Sequence, residues 1–242
     1  MGNYSLYAYE EEIKQGFITV QGGHRIGVAG KAVLEDGKVK TFKNISFLHI
    51  RIAHEIKGCA NVIIPFLYNR ETFRWYHTLI ISPPGCGKTT LLRDLIRQIS
   101  KGVMEEGKYQ IPGQTVSVID ERSEVAACHL GIPQNDLGPR TDVMDGCPKG
   151  EGIRAMLRAM CPQVIAVDEI GKEEDLKAIC YGAICGCSVI ATTHGSHLES
   201  LLERWMYEMS TLLVFERYVI LGRSKGVGTI EKILDERGMC LS

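Results

Sequence analysis

Thr78-Leu79-Ile80-Ile81-Ser82-Pro83-Pro84-Gly85-Cys86-Gly87-Lys88-Thr89-Thr90 runs directly into Leu91-Leu92-Arg93-Asp94-Leu95-Ile96-Arg97. An apolar run, a tight glycine-bearing loop, Gly-Lys-Thr and a helix-like run follow one another. This order separates a phosphate-binding P-loop from a chance match, because the loop needs a strand behind it and a helix N-terminus in front. Gly85 and Gly87 leave room for backbone N–H groups to face phosphate oxygens, and the helix adds its own N-terminal N–H groups and the positive end of its dipole. On this reading Ser82, Pro83, Pro84, Gly85, Cys86, Gly87, Lys88, Thr89 and Thr90 cradle the phosphates of ATP. Lys88 reaches the β- and γ-phosphates, and the Thr89 hydroxyl binds Mg²⁺. The pattern departs from the usual one at its first position, where Ser82 stands in place of Gly. The lysine and both inner glycines are intact.

Working outward, strands and helices alternate from Trp75 to the end of the chain. The segments are Trp75–Ile81, Thr89–Ser100, Thr115–Asp120, Gly150–Met160, Val164–Asp168, Glu173–Ile184 and Ser188–Thr193, followed by a terminal hairpin of Tyr218–Leu221 and Thr229–Leu234 around Lys225-Gly226. Alternation of this kind predicts a mostly parallel sheet covered by helices. Ahead of it, Asn3–Gln15 has helical spacing. Phe17–Val20, His24–Ala29, Lys31–Leu34, Lys38–Phe42 and Ile45–Ile52 read as strands, with an Asp36-Gly37 hairpin turn. The predicted organisation is an α/β protein with a RecA-like P-loop NTPase core at 75–242. A small, partial α+β N-terminal domain precedes it at 1–54, with a connector at 55–74. The abrupt helix after Met1-Gly2 suggests a missing N-terminal portion; a natural short start is the alternative.

Further chemistry gathers at predicted strand ends, where α/β sheets hold their ligands. Val164-Ile165-Ala166-Val167-Asp168-Glu169 is an apolar run ending in two acids, the pattern of a buried strand beside the P-loop strand. Asp168 is the candidate metal residue and Glu169 the candidate for polarising an attacking water. Glu121, after Val116–Asp120, is a second candidate for positioning that water, or a residue of an ordinary helix start. His194, after Ile190–Thr193, is placed to sense the γ-phosphate. Arg140, in the turn-rich Gly138–Val143 segment, is a candidate arginine finger in cis or across a subunit interface. Arg122, Arg154, Arg158 and Arg217 are its rivals.

Bulk properties narrow the class. The 242 residues are 45% apolar and 24% charged, with a formal net charge of −1. That balance gives no global reason to expect tight nucleic-acid binding. The nine cysteines are scattered through apolar segments. They lack paired zinc spacing and read as reduced intracellular thiols, with Cys86 positioned to make the loop sensitive to oxidation. No apolar run approaches the roughly 20 residues a membrane helix needs, so any membrane association would come through a partner.

Taken together, the motifs resemble a known family. Arg158-Ala159-Met160-Cys161-Pro162-Gln163 leading through Val164–Val167 to Asp168-Glu169-Ile170-Gly171 resembles the second-acid segment of type II/type IV secretion ATPases. Ser188–His194 looks like their histidine box, Ile119-Asp120-Glu121 is similar to their acidic box, and Gly23–Gly27 through His49–Ile52 resembles the end of their N-terminal domain. More narrowly, Tyr4–Glu10, Gly16–Thr19, Ile81–Asp94, Asp120–Glu124 and Pro133–Val143 resemble the stage III sporulation AA family over nearly the whole chain. That resemblance implies a cytoplasmic, Mg²⁺-dependent ATPase of the mother cell of an endospore-forming bacterium. It implies a hexamer, docked at the membrane through channel proteins of the stage III sporulation A set. A nucleotide-gated scaffold with little turnover and a nucleic-acid-dependent ATPase are the alternative classes.

Overall fold

The computed structural model describes residues 9–14, 16–105, 108–198 and 214–242. The chain divides into two compact units. One takes the chain up to Glu55 together with Ala126–Asn135; the other takes Ile56–Val125 and Asp136–Ser242.

The first unit carries α1 (Glu10–Lys14), β1 (Phe17–Val20), β2 (His24–Glu35) and β3 (Lys38–Arg51), the strands forming an antiparallel sheet in that order. Asp36 and Gly37 both take positive φ, 51° and 76°. Two such residues in succession match the twist of a tight hairpin. The four short strands expected on either side of this turn are two long ones. The alternation breaks at an irregularity between Ala29 and Lys31, opposite Asn44 at φ 48°, and that break made each strand read as two. The helix expected from Asn3 is described only over Glu10–Lys14; Asn3–Ala8 and Gln15 lie outside the described residues.

The second unit holds α2 (Ile64–Leu67), β4 (Tyr68–Asn69), β5 (Arg74–Trp75), β6 (Thr78–Ser82), α3 (Lys88–Lys101), β7 (Val103–Glu105), β8 (Lys108–Ile111) and β9 (Val116–Asp120). After these come β10 (Thr141–Asp145), α4 (Lys149–Met160), β11 (Val164–Val167), α5 (Glu173–Ile184), β12 (Ser188–His194), β13 (Arg217–Gly222) and β14 (Thr229–Asp235). Its main sheet has the order β10-β9-β11-β12-β6-β13-β14. Every neighbouring pair is parallel except β13 with β14.

Two expectations change here. The strand ending in Asp168-Glu169 does not lie beside the P-loop strand, because β12 is inserted between β11 and β6. Ser188–Thr193 of β12 are all buried, and a strand buried on both faces belongs in the interior of a sheet rather than at its edge. The Arg140 segment is not wholly a loop either. Thr141–Asp145 forms the edge strand β10, paired on one side only and partly exposed. Polar residues suit such an edge and hide it from pattern reading.

Helices cover both faces of this sheet. Leu79, Ile81, Ile119, Ile165, Val167, Val189 and Ala191 share one buried cluster with Ile153 of α4 and Leu176 and Ile179 of α5. The opposite face meets α3, which packs against β6, β9 and β12 through Leu92, Leu95, Ile96 and Ile99, none more than 1% exposed. Each such side chain contributes about 1.5–3 kcal/mol. Gly152 allows α4 its close approach, since a Cβ there would lie 2.6 Å from Ile119 Cγ2. Helix α5 starts on three acids, Glu173, Glu174 and Asp175. Asp175 Oδ2 accepts the backbone N–H groups of Gly171 (3.1 Å) and Lys172 (3.2 Å), which otherwise have no helical partner.

Candidate nucleotide site

The parallel strands deliver their chemistry to one edge. Ser82, Asp168-Glu169, His194, Asp120-Glu121 and Arg223 all stand at or just past the carboxyl ends of β6, β11, β12, β9 and β13, the edge where α/β sheets bind ligands. The loop between β6 and α3 turns through Gly85 at φ 70° and Gly87 at φ 87°. These are left-handed conformations that favour glycine. Ser82 is fully buried in β6 with its hydroxyl donating to Pro83 O at 2.7 Å. The position where the usual pattern has Gly is therefore still extended strand, and a serine fits there without strain.

Lys88 is 8% exposed, and its Nζ lies 3.1 Å from His194 Nδ1. His194 Nε2 lies 2.6 Å from Glu169 Oε1. An ammonium only donates and a carboxylate only accepts, so one imidazole tautomer, with its proton on Nε2, satisfies both contacts. The other Glu169 oxygen pairs with Arg122. Lysine, histidine, glutamate and arginine thus form one chain of hydrogen bonds from the P-loop to the end of β9.

The metal candidates meet one another. Thr89 Oγ1 donates to Asp168 Oδ2 at 2.8 Å, so the hydroxyl at the start of α3 and the acid after β11 bridge the width of β12. Both are hard oxygen donors of the kind Mg²⁺ takes while keeping several waters. Thr192, fully buried in β12, completes the support. Its hydroxyl donates to Asp168 Oδ1 and accepts the Glu169 N–H at 2.8 Å. Glu169 itself sits at φ 57°, an uncommon conformation for a residue with a Cβ and one that clusters at functional sites.

The remaining candidates stand elsewhere. Glu121 pairs with Lys149 at the start of α4. Its strand is three places from β6, about 14 Å away at ordinary strand spacing. Arg140 is tied to the far end of α3. Its N–H donates to Ser100 Oγ at 2.7 Å and its Nη1 to Ser100 O at 3.0 Å, and the rise from Lys88 to Ser100 is about 18 Å. That distance removes Arg140 from this chain's own P-loop. Arg217 bonds Phe66 O at 3.0 Å at the opposite sheet edge, and Arg154 pairs with Glu151. Among the arginines weighed as fingers, Arg122 is the one brought to the acids. Thr192 and Arg223 are marked as site residues by no motif in the sequence. Both follow from strand order, and only the place of Thr192, two residues before His194, gives a local hint.

Comparison with known proteins places the chain in a family. Residues 1–241 match the family described as Sporulation stage III, protein AA. Over 243 aligned residues the chain is 45% identical to stage III sporulation protein AA of Bacillus subtilis (strain 168), covering 100% of this chain and 76% of that protein. The chain belongs to the sporulation stage III protein AA family. Its fold is also found in solved ATPases. The Legionella pneumophila ATPase DotB aligns with TM-score 0.51 and 18% identity over 81% of this chain and 53% of DotB. The pilus retraction motor PilT, solved with bound ADP, aligns with TM-score 0.51 and 16% identity over 81% and 54%. The chain spans about half the length of these two structures. At such identities the likeness establishes the fold, a RecA-like core with a mostly parallel sheet, with a small antiparallel sheet in the other unit. Among the described residues, no helix is long and apolar enough to cross a membrane.

Proposed function

We propose that this family member is a Mg²⁺-dependent ATP hydrolase working at the carboxyl edge of its core sheet. The observation that carries the reading is the contact of Thr89 with Asp168 beside Lys88, across an inserted strand, at the end of a glycine loop. Mg²⁺ bound there with ATP would neutralise charge on the phosphates and orient them. Lys88 and the loop N–H groups stabilise charge on the transferring phosphoryl group. Glu169 orients the attacking water, and its place next to Asp168 and within reach of His194 favours it over Glu121. Lys88 must exchange His194 for phosphate, and His194 then reports that exchange to Glu169 and Arg122. Arg140 remains a candidate finger only toward a neighbouring subunit.

Within the family we infer a ring, hexameric by analogy with secretion ATPases. It would act on the cytoplasmic side in the mother cell and energise or assemble a trans-envelope channel to the forespore through membrane partners. One observation favours the scaffold reading as the runner-up. Both Glu169 oxygens are engaged, by His194 and by Arg122, so an attacking water has to share or displace one of these contacts before the carboxylate orients it. Mg²⁺-dependent hydrolysis across a protein concentration series, with light scattering on the same samples, tests the proposal. Specific activity rising with a larger species supports a site completed between subunits. Nucleotide binding with negligible turnover at every concentration supports the scaffold. Turnover seen only with single-stranded nucleic acid would overturn both in favour of a nucleic-acid-dependent enzyme.

A further inference from the structure

The hairpin joining β13 to β14 arrives beside the P-loop from the side opposite β12. Its first residue, Arg223, lays its guanidinium on the loop. Nη2 donates to Pro84 O and to Gly85 O, each at 3.2 Å, and Nε lies 3.3 Å from Cys86 Sγ. The hairpin backbone closes in next to it, since a Cβ added at Gly87 would lie 3.6 Å from Gly228 Cα. The hairpin is braced internally. Ser224 donates through its N–H (3.0 Å) and hydroxyl (2.8 Å) to Glu231, and Thr229 Oγ1 donates to Gly226 O at 2.7 Å.

Peptide planarity gives these contacts a consequence. In a trans peptide the carbonyl of one residue points opposite to the N–H of the next. A donor that captures the Pro84 and Gly85 carbonyls therefore fixes the Gly85 and Cys86 N–H groups facing the other way. A guanidinium suits this task because its donors lie in a rigid planar fork, which an ammonium lacks.

We propose that Arg223 is a positioning residue of the P-loop, holding the Gly85 and Cys86 N–H groups toward the phosphates from behind the loop. The role rests on the nucleotide reading of the loop. It also makes the β13–β14 hairpin a part of the nucleotide site that no P-loop motif contains.

The test is fluorescent-ADP titration of the full chain as Arg223→Ala, Arg223→Gln and Arg223→Lys, with Lys88→Ala as reference. Thermal melting and the alkylation rate of Cys86 are followed alongside. Loss of the charged fork should weaken binding about tenfold in the Ala and Gln variants. Melting should change little, and Cys86 should alkylate faster once its sulfur is uncovered. Arg223→Lys keeps the charge without the fork and should recover less than half of the loss. Binding within about twofold of the unaltered chain in the Ala variant, or full recovery with Lys, would overturn the proposal. If those results come while Lys88→Ala abolishes binding, the positioning role alone fails. If the unaltered chain binds no nucleotide, the P-loop reading fails and the role with it.

Discussion

Thr192→Val tests the idea that β12 holds both site acids. Valine keeps the shape of threonine and removes only the hydroxyl. That hydroxyl donates to Asp168 Oδ1 and accepts the Glu169 N–H at 2.8 Å, from a side chain with no solvent exposure. A hydrogen bond to a charged group contributes about 1.5–3 kcal/mol, and a neutral one about 1 kcal/mol. Asp168 and Glu169 are only half-buried, so water replaces part of what is lost, and we expect about 1.5–2 kcal/mol of destabilisation. The effect on turnover should be larger. Asp168 loses the partner on Oδ1 that helps hold Oδ2 against Thr89, and Glu169 loses the bond that holds its unusual backbone. A drop in kcat of about 10- to 100-fold corresponds to roughly 1.4–2.7 kcal/mol of misplaced charge. KM for ATP should move less than threefold or so, because the P-loop is untouched. Steady-state phosphate release and a thermal melt read both quantities. An unaltered kcat in a variant with normal melting would refute the reasoning, since it would mean the acids need no support from β12.

Three further outcomes follow from the same geometry. Glu169→Gln should retain nucleotide binding and lose turnover by about 10²-fold or more, whereas Glu121→Gln should cost much less; the reverse order in a phosphate-release assay would transfer the water-orienting role to Glu121. Gly152→Ala gains up to about 1 kcal/mol of helix propensity, but its methyl meets Ile119 Cγ2 at 2.6 Å. A net loss of about 1–2 kcal/mol is expected, and a raised melting temperature would contradict the packing described. His77 accepts the Val189 N–H at 3.1 Å on Nδ1. Burial holds its pKa below the ordinary 6.5, with Glu216 opposing and Arg74 reinforcing the shift. The unfolded chain therefore takes up this proton first. Stability is complete above about pH 6.5 and falls below it by at most about 1.4 kcal/mol per unit. Melting curves of His77→Gln across pH 5–8 should lose that component, and an unchanged pH slope would exclude His77 as its source.

Local signals in the sequence were enough for much of this architecture. Gly85, Gly87 and Lys88 fall within one four-residue stretch, Glu173–Ile184 has acids at its start and Gly186 past its end, and Asp36-Gly37 specifies its own turn. Each is decided within a few residues of chain, so pattern reading reaches it. Strand order is not local. Nothing near Asp168 announces that Ser188–His194 will slip between it and the P-loop, and hence that Thr192 will hold it. Arg223 is distant in sequence from the loop it touches, and only the pairing of β13 with β6 brings them together. Arg140 depends on a distant contact in the same way. Its turn-rich setting marks a candidate finger in cis or across a subunit interface, and two hydrogen bonds to Ser100, at the end of α3 away from the loop, leave only the second.

The most direct measurement is phosphate release from ATP by the unaltered chain and by Lys88→Ala, each with Mg²⁺ and with excess chelator. The account predicts release by the unaltered chain that requires Mg²⁺ and disappears in the variant. Equal release by both chains, or release indifferent to the metal, would contradict it.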